Sequence, residues 1–155
     1  MKTSVLLLIL AVSFLVAQDG RFILAHQYPP DQRVTLPFFR TGALDKIDGE
    51  ATVHRKKTVR VKMELKDAPA PSSVKPEYRA YVLWAVGPKG EFVKLGEIEK
   101  NLAIETSLLA FGLVVSLEAD PQASKPSGIF VLETGLPQRK TSFFGMTKVF
   151  YTGKK

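Results

Sequence analysis

Two histidines have the widest chemical repertoire in this chain, because imidazole serves both as a metal ligand and as an acid–base group. His26 lies among turn-forming residues, and His54 lies on the polar side of an alternating stretch. No His-x-His or His-x₃-His spacing occurs, and no carboxylate stands near either residue at ligand spacing. The chain has no cysteine, which excludes disulfides, thiolate zinc sites and blue-copper centres. The sequence therefore predicts no metal and no cofactor.

Carboxylates and hydroxyls provide no clearer catalytic set. A pair of carboxylates is the minimum for glycoside cleavage, and Glu97, Glu99 and Glu105 with Asp120 are the candidates for such a pair. Acidic residues at such spacings are common on exposed strand faces. No Gly-x-Ser-x-Gly elbow occurs, and the glycines of Gly87-Pro-Lys-Gly90 flank a proline that lacks a phosphate-binding N–H. We expect no catalytic residues and no enzymatic activity.

Basic residues form the third candidate group, in a chain of formal net charge +7. Arg60, Lys62 and Lys66 alternate with apolar residues, and this period of two predicts an exposed basic strand face. Such a face suits anionic lipid headgroups or acidic envelope polymers, although an ordinary solvated face has the same pattern. Aromatic and basic residues are also interleaved in the range 139–151. Core aromatics beside solvated cations explain that stretch, so no nucleic-acid partner is expected.

The N-terminus predicts export. Lys2 precedes an apolar run of 13 residues from Val5 to Ala17, in which Ser13 is the one polar residue. The run is too short for a membrane span of about 20 residues but suits a signal peptide. Cleavage is expected after Ala17, with Ala25 as a second, weaker position. An uncleaved signal anchor and a buried core helix remain alternatives. The expected location is periplasmic or extracellular, with or without an N-terminal membrane anchor.

Alternating hydrophobicity predicts the fold. Residues 18–48 contain Pro29-Pro30 and Pro37 and are expected to form a linker in which Val34–Phe39 fits a short edge strand. From Gly49 onwards, short alternating runs separated by turn-forming residues indicate an all-β domain over 49–155, an antiparallel sandwich of about seven to nine strands. The run 79–86 is apolar on both faces and should be a central strand. Trp84 shares a face with Val82 and Val86, which predicts a core anchor.

The order of several strand motifs resembles a known family. Tyr81-Val82-Leu83-Trp84 is followed by the turn Gly87-Pro-Lys-Gly90, by Leu95-Gly96, by the strand Phe111–Asp120 and, after a proline-containing loop, by Ser127–Leu132. This series, from about Gly49 to Gly135, resembles the extracytoplasmic C-terminal domain of anti-sigma-K factors of the RskA type. The resemblance implies a non-enzymatic sandwich that acts as an envelope sensor or interaction module, with an unknown envelope protein or polymer as its partner.

Members of that family carry a sigma-binding domain and a membrane helix ahead of this module. Only four residues precede the apolar run here, so no contact with a sigma factor is expected by that route. A carbohydrate-binding or other ligand-binding envelope protein, using exposed aromatic side chains on the sheet, is the alternative function.

Overall fold

A computed structural model describes the backbone of residues 20–135 and 146–152 and the side chains of residues 23–135. These residues form ten strands and one four-residue helix. The strands are β1 Gly20–Gln27, β2 Arg33–Arg40, β3 Asp48–Arg55, β4 Val59–Lys66, β5 Ala80–Val86, β6 Phe92–Ile98, β7 Asn101–Thr106, β8 Ala110–Glu118, β9 Ile129–Thr134 and β10 Met146–Thr152, with helix α1 Pro71–Val74 between β4 and β5. Helix α1 is the one helix among the described residues, and no helix there is long and apolar enough to cross a membrane.

All pairings between the strands are antiparallel, which confirms the predicted all-β antiparallel fold. The strand order is β10-β1-β8-β9-β2-β3-β4-β7, and β5 pairs with both β6 and β8. Apart from β1 and β10, the strands form a curved sheet that begins at β6 and ends at β7, and these two end strands contact each other. One layer therefore contains β2, β3, β4 and β7, and the facing layer contains β5, β6, β8 and β9.

The main core lies between these two layers and follows from the alternation in the sequence. In β4 the residues Val59, Val61, Met63 and Leu65 are buried, whereas Arg60, Lys62 and Lys66 are exposed. The buried residues pack against Leu83, Leu113, Val115 and Leu117 of the facing layer, among others. A strand with one face in the core and one in water requires this alternation.

Strand β5 is buried on both faces, as its continuous apolar run predicts. Tyr81, Leu83 and Ala85 face the main core. Val82, Trp84 and Val86 face outwards into a second, smaller apolar cluster, which also contains Ile23 and Ala25 of β1. Strand β1, which pairs with β10, thus covers the outer face of β5, β8 and β9.

Residues 20–48, expected to be mostly linker, instead belong to the fold. Strand β1 covers the outer cluster, and β2 pairs with β3 on one side and with β9 on the other. Pro37 is tolerated in this central strand because it is the last residue paired with β3, where the missing N–H interrupts no continuing ladder. Its carbonyl still accepts a hydrogen bond from the backbone N–H of Gly135, at 3.3 Å.

The predicted signal segment, Val5–Ala17, lies outside the described residues. The weaker cleavage position, Ala25, lies in β1 with 1% of its surface exposed. Cleavage there would remove most of β1 and uncover the outer apolar cluster.

Candidate functional site

Three loops meet at one end of the β2–β3–β4–β7 layer: the β1–β2 loop, the β3–β4 turn and the β7–β8 loop. Tyr28 connects them. Its backbone N–H donates to the carbonyl of Leu109 at 3.2 Å, and its own carbonyl accepts from Nη1 of Arg55 at 2.8 Å. Its buried hydroxyl donates to the carbonyl of Phe111 at 3.0 Å. Burial raises the pKa of Tyr28 well above its usual value, so the phenol remains neutral.

Cationic side chains concentrate at this end. The register places Arg33, His54 and Arg60 side by side across β2, β3 and β4, and Lys62 lies in the next row on the same face. The β3–β4 turn adds further cations. We define the basic end as Arg33, Arg55, Lys56, Lys57, Arg60 and Lys62. All except the half-buried Arg55 are exposed.

A cleft of about 380 Å³ opens within the basic end. Its lining consists of His54, Lys56, Lys57, Thr58, Arg60 and Glu105. Oε1 of Glu105 accepts hydrogen bonds from Nε of Arg60 at 3.1 Å and from Nη2 at 2.6 Å, while Oε2 accepts one from the Thr58 hydroxyl at 3.1 Å. The hydrogen bonds from Arg60, together with that from Thr58, lower the pKa of the Glu105 carboxyl.

An exposed apolar side chain accompanies these cations. Leu109, in the β7–β8 loop, is 46% exposed, and its carbonyl is bonded to Tyr28. Among the described residues, the other large exposed apolar side chain is Phe39, near the opposite end of β2. The basic end therefore combines several cations with one apolar side chain in water.

Lys66, predicted to share a face with Arg60 and Lys62, does share that face but lies at its other end. Lys66 follows Arg60 by six positions along β4, which corresponds to about 20 Å. The ammonium of Lys66 lies 3.6 Å from the carboxylate of Glu64, and Lys66 pairs across strands with Asp48. The structure therefore brings two of the three predicted contact residues together. The period of two identifies a face but cannot show how charges vary along it.

The period of two did not select Lys56 and Lys57, which lie in the β3–β4 turn at the centre of the basic end. It also missed Arg33, which was assigned to a linker, and Leu109. The register of β2 against β3 places Arg33 in the site, and the hydrogen bond from Tyr28 places Leu109 there.

Trp84 is fully buried in the outer cluster, where its indole belongs to a polar chain. Its Nε1–H donates to the hydroxyl of Ser116 at 2.7 Å, and that hydroxyl donates to Oε1 of Glu118 at 2.5 Å. The Glu118 carboxyl also accepts from the backbone N–H groups of Ser127 and Gly128 and from the Ser127 hydroxyl. These contacts fix the β8–β9 loop to the sheet, which is a structural role.

The two histidines lie apart from each other. His54 lines the cleft of the basic end, whereas His26 is buried near the start of β8. Burial lowers the pKa of His26, an effect that a backbone hydrogen bond with Gly135 partly opposes. In the part of the chain that the structure describes, no group of three or more His, Cys, Asp or Glu residues is placed to hold a metal ion.

A second, larger cleft of about 750 Å³ lies at the opposite end of the layer. Phe39, with 55% of its surface exposed, contributes to the cleft lining together with Arg40, Asp45, Asp48 and Asp67. Nη1 of Arg40 donates a hydrogen bond to the carbonyl of Asp45. Some polar groups of the cleft lining are therefore already bonded to each other. The two ends of the layer thus differ in character, one cationic and the other of mixed charge.

Comparisons of the chain with protein-family models, with curated proteins and with solved structures find no match.

Proposed function

We propose that this protein is an exported, non-enzymatic interaction module of the cell envelope that docks through its basic end onto an anionic membrane surface. The observation that carries the proposal is the concentration of cations on β2, β3, β4 and the β3–β4 turn, with exposed Leu109 on the adjoining β7–β8 loop. The predicted export signal supports the proposed location, and the resemblance to anti-sigma-K ectodomains supports the proposed class of protein.

The charges at the basic end are sufficient for such docking. A Lys or Arg side chain close to an anionic bilayer contributes about 1 kcal/mol, and the attraction falls off within a Debye length. Lys56 and Lys57 occupy a strand turn that projects from the layer, so both ammonium groups can approach a surface together. The long stems of lysines also allow their charges to reach headgroups without movement of the sheet.

Leu109 favours a membrane over an acidic polymer. An exposed leucine gains free energy when it enters the apolar part of a bilayer interface, whereas a hydrated polyanion offers it no such environment. Carbohydrate binding through aromatic platforms is less well supported, because Phe39 is the only exposed large aromatic side chain among the described residues. We therefore place lipid headgroups first among the anionic partners.

Vesicle co-sedimentation tests the proposal with a matched pair of triple variants. Lys56→Gln/Lys57→Gln/Lys62→Gln removes three charges from the basic end. Lys66→Gln/Lys75→Gln/Lys100→Gln removes three exposed charges near the opposite end and changes net charge equally. At about 1 kcal/mol per charge, the first variant should bind vesicles rich in phosphatidylglycerol about 100-fold more weakly than the native protein. The second should bind nearly as the native protein does.

The same binding measurement is repeated at high salt and with the variant Leu109→Ser. Binding should weaken strongly at high salt, and Leu109→Ser should weaken it further without any change in charge. Equal loss of binding in the two triple variants would contradict docking through the basic end. Binding to a soluble acidic polysaccharide that is as tight as binding to vesicles, and is unaffected by Leu109→Ser, would transfer the function to a polymer partner.

A further inference from the structure

The Glu105 carboxylate occupies the best anion-binding donors of the basic end. Arg60 presents two N–H groups to Oε1, and the Thr58 hydroxyl reaches Oε2. A planar guanidinium fork with an adjacent hydroxyl is also an arrangement that binds a phosphate group. Glu105 is the only acidic residue that lines this cleft.

The fold does not depend on the ion pair between Glu105 and Arg60. The two side chains of the Arg60–Glu105 pair are 59% and 49% exposed, and such exposed pairs contribute little to stability. Strands β4 and β7 are already joined by a ladder of six residue pairs, from Val59–Thr106 to Glu64–Asn101. The backbone thus places Glu105 directly across from Arg60 without help from the ion pair.

We propose that Glu105 is an internal competitor for the anionic ligand: it holds Arg60 and Thr58 until a lipid phosphate displaces it. This inference rests on the proposed function and adds a specificity-determining residue to it. A single weakly charged headgroup gains little by replacing a carboxylate that is already in position. A surface with a high density of phosphate groups engages Lys56, Lys57 and Lys62 at the same time, and those contacts offset the loss of the internal pair.

The decisive variant is Glu105→Gln, with Glu64→Gln as its control. Both substitutions remove one negative charge from the same sheet face, but Glu64 contacts Lys66 rather than Arg60. Glu105→Gln should raise the affinity for phosphatidylglycerol vesicles by about fivefold, the effect of one further basic side chain at the surface. Glu64→Gln should change the affinity by less than twofold. Thermal unfolding checks that both variants are folded.

A double-variant cycle separates release of Arg60 from a general gain of positive charge. If Glu105 acts by holding Arg60, Glu105→Gln should give less than a twofold gain in an Arg60→Gln background. Equal gains in both backgrounds would overturn the competitor role while leaving the membrane-docking proposal intact. Binding by Glu105→Gln but not by the native protein would support the competitor role in its strongest form. Absence of binding by both proteins would overturn both proposals.

Discussion

At the scale of single residues, the unusual feature is a buried carboxyl group that has no cationic partner among the side chains of residues 23–135. Glu118 has no exposed surface, yet its oxygens accept hydrogen bonds from Ser116, Ser127 and Gly128. Hydrogen bonds from several N–H and O–H donors are what allow a buried polar group to remain in a folded protein. Gly128 is required because a Cβ there would overlap the carbonyl oxygen of Leu117.

This arrangement predicts a large effect of a small substitution. Glu118→Gln preserves the shape of the side chain but turns one acceptor into an NH₂ group that faces other donors. We expect a loss of about 2 to 3 kcal/mol in the free energy of unfolding, the range for disrupting hydrogen bonds to a charged or fully buried group. Urea unfolding followed by Trp84 fluorescence measures it. Glu97→Gln, at an exposed position, should change the value by less than about 0.5 kcal/mol.

His26 predicts a dependence of stability on pH. Burial lowers the pKa of His26 in the folded state below the ordinary value of 6.5, so the unfolded chain binds a proton more readily. The resulting stability is present above pH 6.5 and is lost as the pH falls towards the folded-state pKa. The free energy of unfolding should decrease from pH 7.5 to pH 5.5, by up to about 1.4 kcal/mol per pH unit.

The matched variants are His26→Gln and His54→Gln. The first should flatten the dependence between pH 7.5 and pH 5.5, and the second should retain it because His26 is still present. A decrease that persists unchanged in His26→Gln would assign the effect to another group.

At the scale of elements, the contact between β1 and β8 decides whether the outer cluster remains covered. Gly112 of β8 allows β1 to approach closely: a Cβ at this position would lie 2.6 Å from Cγ1 of Ile23 and 2.8 Å from the carbonyl oxygen of Leu24. No real side chain fits at such distances, so a larger residue must push β1 away from the sheet.

Gly112→Ala should therefore destabilise the protein by about 1 to 3 kcal/mol, the usual cost of overpacking. The emission of Trp84, which β1 helps to cover, should shift to longer wavelength. In Gly112→Ala/Ile23→Ala the loss should be smaller than the sum of the two single losses, because the added methyl then has room on one side. Additive losses and an unshifted emission would show that β1 does not respond to the new methyl group.

Elements with a clear period were predictable, and elements whose role depends on distant partners were not. The alternation from Val59 to Leu65 identifies β4 and its two faces, and the run through Trp84 identifies a strand covered on both sides. The same patterns do not reveal that Trp84 packs beneath β1 rather than in the main core. The prolines before Gly49 favoured the prediction of a linker. The sequence does not show that Pro37 lies at the end of a ladder, which is why β2 tolerates it.

The candidate site was also predictable only in part. Alternation exposes Arg60 and Lys62, but it also selects Lys66, whose neighbours Glu64 and Asp48 become apparent only from the register. Tyr28 is hydrogen-bonded both to Arg55, beside the β3–β4 turn, and to Leu109. These two chain segments are about fifty residues apart, so no local period encodes their proximity.

At the scale of the whole molecule, charge is distributed unevenly along the strands. The β2–β3–β4–β7 layer has most of its cations at one end, while Asp48, Glu50 and Glu64 share the other end of the same face with Lys66. A net charge of +7 alone would favour contact with any polyanion in any orientation. An uneven distribution favours one orientation, with the basic end towards the anionic surface.

The direction of β1 adds a geometric constraint. The strand begins at Gly20 and ends at Gln27, which pairs with Ala110 beside the basic end, so Gly20 lies about 25 Å from that end. If the N-terminal segment is cleaved, the domain is free to turn its cations towards the membrane from which it was released. If the segment is retained as an anchor, the chain enters the domain on the far side and the cations point away from that membrane. Processing of the N-terminus would then decide between a protein that lies on one surface and a tether that spans the gap between two.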